Sequence, residues 1–433
     1  MKALSQRGGG PEGPTMVRRK VKDLIVENAI LEVQDGNHGE KHPTAAAYVE
    51  EGIPFLMARD FKNGQVDLHS ACKIPKSLGD SLRIGFARTG DVLLTHKGSV
   101  GLVAIVPEVP DYVMLTPQVT YYRTNPAKLS NSYLKYAFQA PFFRDQLNSF
   151  SAQSTRPYIG ITAQKELQLD VPPLPIQRRI AGILSAYDEL IQNSNRRIKI
   201  LEMMARALYR EWFVKFRFPG HESVPRVPSP LGEIPAGWEV KAVAQAFDIS
   251  GGGTPSRKEE AFWSGGTIQW YSPSDLTGAG TMFMDDSSDH ITERGLAHSS
   301  ARMFPALSVM LTSRATIGAI AINTHPACTN QGFITCLSNE RVPLCFLFHW
   351  LTENVPTFQS MATGATFKEI SRGVFKTINF LQPPDELVRR FEGMTAQIAE
   401  QMLALQRQIQ NLRRTRDMLL PRLLSGQVNL GEN

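Results

Sequence analysis

An internal duplication limits the folds open to this chain more than any other feature. Val92-Leu-Leu-Thr95-His-Lys97-Gly-Ser-Val100-Gly101 matches Val309-Met-Leu-Thr312-Ser-Arg314-Ala-Thr-Ile317-Gly318 at an offset of 217 residues. Upstream, Ile53-Pro-Phe-Leu-Met-Ala-Arg-Asp60-Phe61 matches Ile268-Gln-Trp-Tyr-Ser-Pro-Ser-Asp275-Leu276 at 215. Downstream, Pro172-Pro173 with Arg178-Arg179 matches Pro383-Pro384 with Arg389-Arg390 at 211. Constant order with slowly drifting offset means two copies of one long unit. The period lies far beyond the ~20–50 residues of solenoid repeats, so the chain is a duplicated domain pair and not an array.

Each unit has a front and a back. The fronts are mixed: short apolar stretches, Gly/Pro punctuation and alternation. Asp91–Val106 reads as strand, turn at Lys97-Gly98-Ser99 and strand, and Ser308–Ile322 repeats it. Short helical patterns follow at Ser132–Gln139 and Leu344–Leu351. The backs are long helices. Ile180, Leu184, Tyr187, Ile191, Ser194, Ile198, Leu201, Ala205, Leu208 and Trp212 step by four and three without a break. Phe391, Thr395, Ile398, Met402, Leu405, Ile409, Leu412, Arg416 and Leu419 step the same way. That spacing over four heptads predicts a coiled-coil seam, with rods of roughly 57 Å at ~1.5 Å per residue. The proline pairs block helix upstream, and Pro421 disfavours continuation beyond it.

The expected fold is therefore α+β: two tandem mixed α/β domains, each followed by a long helix. If a pseudo-twofold axis relates the units, the two helices pair antiparallel. Ser194, Thr395 and Arg416 would then help to set register. The expected segments are a disordered leader (1–15), a first domain (16–171), a first helix (172–217), a Pro/Gly-rich linker (218–237), a second domain (238–382), a second helix (383–426) and a tail (427–433).

Composition serves mainly to exclude. At 42% hydrophobic and 20% charged, the chain is too apolar to be mainly disordered. No apolar run nears the ~20 residues of a membrane helix, and the polar leader has no secretory core. Cys72, Cys328, Cys336 and Cys345 form no CxxC pair, which points to reduced, packed thiols in a cytoplasmic protein. The net charge is +6. Ile176–Arg217 carries nine Arg/Lys against four Asp/Glu, and Asp385 to the end seven against six, so the whole excess lies in the two helical stretches. That permits nucleic-acid binding.

Catalytic signatures are missing. Gly251-Gly-Gly-Thr254-Pro255-Ser256 lacks the GK[ST] of a phosphate loop and reads as a tight turn. HExxH and GxSxG do not occur, and the nine histidines form no ligand pattern. His96 and His290 read as surface residues. The proline pairs sit in VPPLP and QPPDE, not in the Asn/Asp-Pro-Pro-aromatic setting of amino-methyltransferases. The chain is expected to bind and position without metal, cofactor or catalysis of its own.

These residues together resemble a family. Pro172-Pro-Leu-Pro175-Ile-Gln177-Arg-Arg-Ile180, the heptad helix and Ala207-Leu-Tyr-Arg-Glu-Trp212-Phe213 resemble the central conserved region of type I restriction-modification specificity subunits. Leu231-Gly-Glu-Ile-Pro235-Ala-Gly237-Trp238, Ser250-Gly-Gly-Gly-Thr254-Pro255-Ser256 and Trp270-Tyr-Ser-Pro273-Ser-Asp275-Leu276 resemble the opening of that family's target recognition domains. Leu419-Leu420-Pro421-Arg-Leu-Leu424-Ser425-Gly426 resembles the end of its distal helix. The likeness spans nearly all of 16–426. It implies that each front domain reads one half of a split, asymmetric double-stranded DNA site. The paired helices set the spacing, and two adenine-N6 methyltransferase (modification) subunits and restriction (translocase-nuclease) subunits assemble on the chain. S-adenosylmethionine, ATP and magnesium would belong to those partners. The first unit departs from the pattern: Ile30-Leu-Glu-Val-Gln-Asp35-Gly36 lacks the SGGTP run, and Arg59-Asp60 replaces Pro-Ser-Asp. Domains that read different half-sites should differ.

Two other classes compete. A self-contained methyltransferase or nuclease needs a cofactor loop and an Asn/Asp-Pro-Pro motif. A structural coiled-coil adaptor predicts no sequence-specific binding even with partners supplied.

Affinity for DNA should come from Lys/Arg at phosphates and specificity from polar side chains at base edges. The hairpin turns offer Lys97 and Ser99 in one unit, Arg314 and Thr316 in the other. Gln118 and Gln331 correspond. Arg156, in Ser154-Thr155-Arg156, matches Phe367, which Lys368 follows, and Arg257-Lys258 follows the Gly-rich run. Arg178-Arg179 and Arg389-Arg390 oppose the helix dipole at the helix starts, which suits a partner or phosphate as well as solvent. Arg196-Arg197 and Arg413-Arg414 read as outward charges.

Overall fold

The structure is a computed structural model and describes residues 17–39, 41–62, 64–151, 157–364 and 366–428. The leader, Arg156 and most of the tail lie outside the described residues. The chain divides into two units: Met1–Gln192 with Ile409–Asn433, and Asn193–Gln408.

The first unit has a four-stranded antiparallel sheet in the order Ile30–Asp35, Val119–Thr124, Val92–Thr95, Val103–Ile105. In a second sheet Ile53–Leu56 runs parallel to Val113–Leu115 and antiparallel to Cys72–Ile74. Val17–Lys20 pairs with Gln168–Val171, closing the front just before the helix. The second unit repeats this plan. Ile249–Gly251, Phe333–Cys336, Val309–Thr312 and Ile320–Asn323 are neighbours in one sheet. Ile268–Tyr271 runs parallel to Ala327–Thr329 and antiparallel to Asp289–Ile291. Glu239–Ala242 pairs with Asn379–Gln382. The sequence repeat is thus a repeat of strand order and direction.

A central helix spans Leu174–Tyr209 and a distal helix Asp385–Leu424, 36 and 40 residues long. Each starts immediately after its proline pair. A single wider turn, Arg210–Val214, prolongs the central helix and buries Trp212 and Phe213. Within the first unit Asp188 meets Arg416. Ile180 and Leu184, upstream of Asp188, share a core with Leu420, Leu423 and Leu424, downstream of Arg416, so the two segments run antiparallel. Within the second unit Tyr209 and Trp212 meet Phe391, whereas Ala205 lines a cavity with Met402, again antiparallel.

Every residue of the expected seam is buried or half-buried. Ile180, Leu184, Ile191, Phe391, Met402, Leu405 and Ile409 are buried; Tyr187, Ile198, Leu201, Leu208, Ile398, Leu412 and Leu419 are half-buried. Thr395 is buried and returns its hydroxyl to the Phe391 carbonyl at 2.9 Å. Arg196, Arg197, Arg413 and Arg414 point outward, exposed.

The distal helix passes Pro421, expected only to disfavour continuation, and ends at Leu424, within the expected 383–426. A proline in the last turn forfeits one hydrogen bond, and burial of Leu420, Leu423 and Leu424 in the first unit's core offsets it. Two further expectations change. Residues 218–237 are not an open linker. Arg226–Ser229 and Gly232–Pro235 form a hairpin, and Phe218 and Ile234 enter the second unit's core. The second short helix runs beyond Leu351, to Ser360, with Pro356 inside it.

Candidate nucleic-acid interface

The repeated Val-x-Leu-Thr…Gly motif builds one turn twice. Thr95 and Thr312 end buried strands. Their hydroxyls accept hydrogen bonds from the amides of Leu102 and Ala319, both at 2.9 Å. Gly101 and Gly318 then take φ of +92° and +104°, a region closed to most side chains. Threonine and glycine thus shape the turn, and the residues between them are left to vary. Lys97, Ser99, Arg314 and Thr316 are all exposed at these tips.

Each tip is propped by the same two segments. In the first unit, His96 N–H donates to the Gln118 carbonyl at 2.9 Å, and Gly98 N–H to the Pro157 carbonyl at 3.1 Å. In the second, Ser313 N–H donates to the Gly332 carbonyl at 2.8 Å, and Ala315 N–H to the Lys368 carbonyl at 3.0 Å. Ala315 holds φ +60° where its counterpart is Gly98, so this tip stores backbone strain.

The tips therefore gather Lys97, Ser99 and Gln118 in one unit, and Arg314, Thr316, Gln331 and Lys368 in the other. Gln118 is half-buried, and its Oε1 accepts from Ala58 N–H at 3.4 Å, so it braces backbone. Gln331 is exposed and accepts from Thr254 Oγ1 at 2.7 Å, drawing the Gly-rich run to the tip. Arg257 joins a different cluster. Its guanidinium lies 3.6 Å from the Trp263 ring centre and 2.5 Å from Asp289. Lys258 beside it is exposed.

Two neighbours escaped the sequence reading. Tyr158 is half exposed, bridges Lys97 through the backbone, and has its ring 5.9 Å from Lys97 Nζ. Glu369 occupies the matching place in the second unit, 3.7 Å from Arg314 Nε. An aromatic and a carboxylate share no chemistry, and the bridge to the tip is what places each of them beside it. Phe367, 60% exposed, lies next to Lys368.

The histidine and glycine expectations need correction. His96 is buried, 2% exposed, because the hairpin folds it inward against Thr120 Oγ1 at 2.8 Å. Thr120 in turn donates to Asp35 at 2.6 Å and accepts from Gln164 at 3.0 Å. Burial pushes the His96 imidazole below its usual pKa, with Asp35 opposing. This network supports the Lys97 tip from beneath. His290 is partly exposed and pairs with Asp286 at 2.8 Å. The glycines at 251–253 serve close packing more than a turn: a Cβ on Gly252 would lie 1.9 Å from the Asn330 carbonyl oxygen. Asp275 caps its helix by accepting from Ser272 N–H at 2.7 Å, and Asp60 accepts from Met57 N–H at 2.8 Å. The matched aspartates are structural.

At the helix starts all four arginines are exposed. Arg178 donates to the Pro126 carbonyl at 3.3 Å, and the Arg390 guanidinium lies 5.9 Å from the Trp212 ring centre. Cys328, Cys336 and Cys345 are buried free thiols, and burial pushes Cys328 up to about 12. Among the described residues no helix is long and apolar enough to cross a membrane.

The family model described as the type I restriction modification DNA specificity domain matches residues 30–203 and again 235–416, each match containing one tip. The MjaIX specificity subunit of Methanocaldococcus jannaschii is 26% identical over 353 residues, 79% of this chain and 78% of that protein. The HindI specificity subunit of Haemophilus influenzae is 23% identical over 336 residues, covering 64% of this chain and 72% of that protein. The crystal structure of an S subunit from M. genitalium shares the fold, with a TM-score of 0.59 at 14% identity, over 95% of this chain and 96% of that one. With two copies of the domain covering most of its length, this chain belongs to the type I restriction-modification specificity subunits.

Proposed function

We propose that the chain recognises a bipartite, asymmetric site in double-stranded DNA, one half-site per unit, and holds two adenine-N6 methyltransferase subunits and the restriction subunits around it in the cytoplasm. The observation that carries this reading is the twice-built hairpin tip. The same scaffold presents Lys97 and Ser99 in one unit and Arg314 and Thr316 in the other, so the frame is kept and the reading residues differ. Lys97, Arg314 and Lys368 serve phosphates, and Ser99, Thr316 and Gln331 face base edges or the backbone beside them. Lys258 adds a further exposed cation, and Arg156 stays a DNA-contact candidate on its sequence alone. Arg257 and Gln118 act by bracing. Catalysis, with S-adenosylmethionine, ATP and magnesium, belongs to the partners.

A second feature supports partner docking on the helices. Gly182 and Gly393 occupy matching helical positions, both exposed, and a Cβ on either meets nothing within 4 Å. Mid-helix glycine costs ~1 kcal/mol against alanine, and nothing inside the chain requires it. Close approach of a partner backbone at both sites gives it a reason.

The test is a map of modified adenines after expressing the chain with its methyltransferase subunit in a host lacking both. A split motif dependent on this chain is expected, and exchange of one front domain should change one half-site. No new methylation from a soluble complex would favour the structural adaptor. Methyl transfer by the purified chain alone would revive the self-contained enzyme.

A further inference from the structure

The two units differ where the duplication lets them be compared residue by residue. In the first, Asp188 accepts hydrogen bonds from Lys135 Nζ at 2.9 Å, Tyr136 OH at 2.7 Å and Arg416 Nη1 at 2.6 Å. At the repeat offsets these four positions become Ala399, Phe348, His349 and Ala205 in the second. The aligned short helices agree: Tyr133 and Leu134 are fully buried, as are Phe346 and Leu347. Two charged side chains of the first unit are therefore two buried alanines in the second.

Three of the four positions, Ala205, Phe348 and His349, line a cavity of about 500 Å³ together with Leu276, Met282, Ile320 and Met402. It opens past exposed Met203, Thr277 and Gly280. Glu202, Arg206, Thr281 and Thr352 add polar groups to the lining, and His349 is the one with an unpartnered buried atom. His349 is 5% exposed, and its Nδ1 has no hydrogen-bond partner. Its counterpart Tyr136 spends its hydroxyl on Asp188, which the second unit lacks. Burial and the nearby Arg206 charge hold His349 at about 4, so the imidazole is neutral at pH 7. An orphaned buried nitrogen costs free energy until something satisfies it.

We infer that this cavity is a binding site for a small molecule with an apolar ring or short chain and one hydroxyl group. The volume falls within the ~300–1,000 Å³ of small-molecule sites, and mainly apolar walls with a few placed polar groups, here His349 with Glu202, Thr281 and Thr352, are their usual lining. A hydroxyl both donates and accepts, so it satisfies Nδ1 of a neutral imidazole in either tautomer. The site is built wholly from the second unit. An occupant would bridge the central helix to the second front domain, where the first unit uses its Asp188 cluster.

Phenol is the probe, titrated into the full-length chain, with its methyltransferase subunit if solubility needs it, by calorimetry and thermal unfolding. Saturable binding that raises the unfolding temperature is expected, with benzene weaker by about fivefold to tenfold. His349→Phe should bring phenol down to the level of benzene. Grafting the first unit's pair as Ala205→Arg with Ala399→Asp should abolish binding; Ala205→Leu fills the same wall without charge should the graft fail to fold. No saturable phenol binding, or binding indifferent to both Ala205→Leu and His349→Phe, would overturn the assignment.

Discussion

Asp188 accepts a hydrogen bond from Arg416 at 2.6 Å across 228 positions of sequence, and the same carboxylate holds Lys135 and Tyr136. One side chain thereby ties the central helix, the end of the distal helix and the first front domain together.

Removing the centre of this cluster should cost more than removing one arm. Asp188→Ala leaves Lys135 without its counter-charge and Arg416 with Asp417 alone, and should lose about 3–5 kcal/mol, whereas Arg416→Ala leaves Asp188 two partners and should lose about 1.5–3 kcal/mol. Denaturant unfolding of the two variants checks the order. Equal losses would contradict it.

The second unit carries a pH dependence of its own. His349 titrates near 4 when folded and near 6.5 when free. The unfolded chain therefore takes up the proton first, and stability present above pH 6.5 falls as pH drops toward 4, by about 3 kcal/mol. Unfolding midpoints of His349→Phe should lose this slope. Asp188, held below its usual range by Lys135, Tyr136 and Arg416 despite burial, withdraws its contribution only at more acid pH.

Lys97→Ala and Arg314→Ala should each weaken DNA binding by the assembled complex. Each should also reduce its logarithmic salt dependence by about 0.9 for every phosphate no longer neutralised. The methylated motif should stay unchanged. A relaxed half-site would reassign that residue to base reading.

Glycine substitutions should separate by position. Gly36→Ala and Gly252→Ala place a Cβ 1.9 Å from the carbonyl oxygens of Thr116 and Asn330, and should destabilise by about 1–3 kcal/mol. Gly182→Ala and Gly393→Ala meet nothing and should stabilise by about 0.5–1 kcal/mol. Reduced methyltransferase binding by the latter pair, measured by co-purification, is the expected cost.

Much of the fold could be read in advance, because duplication and heptad spacing are local patterns. The hairpins at Lys97 and Arg314 and the burial of Leu184, Met402 and Ile409 belong to this part. The candidate site was readable at the tips, where Thr95 and Thr312 flank varying residues. It was not readable at Tyr158 and Glu369, whose place beside the tips rests on backbone bridges from distant segments. His96 misled for the same reason: only the fold shows that the residue before Lys97 turns inward onto Thr120.

Periodicity and repetition act over neighbouring residues, so the chain alone establishes two copies of one mixed domain, each followed by a long helix with an apolar seam. How the copies differ emerges from three-dimensional packing. Asp188 and Arg416 pair across a buried space in one unit, while Ala205, at the counterpart of Arg416, lines an open cavity beside His349 in the other. A side chain's energy there depends on what packs opposite it, and spacing along the chain carries no record of that.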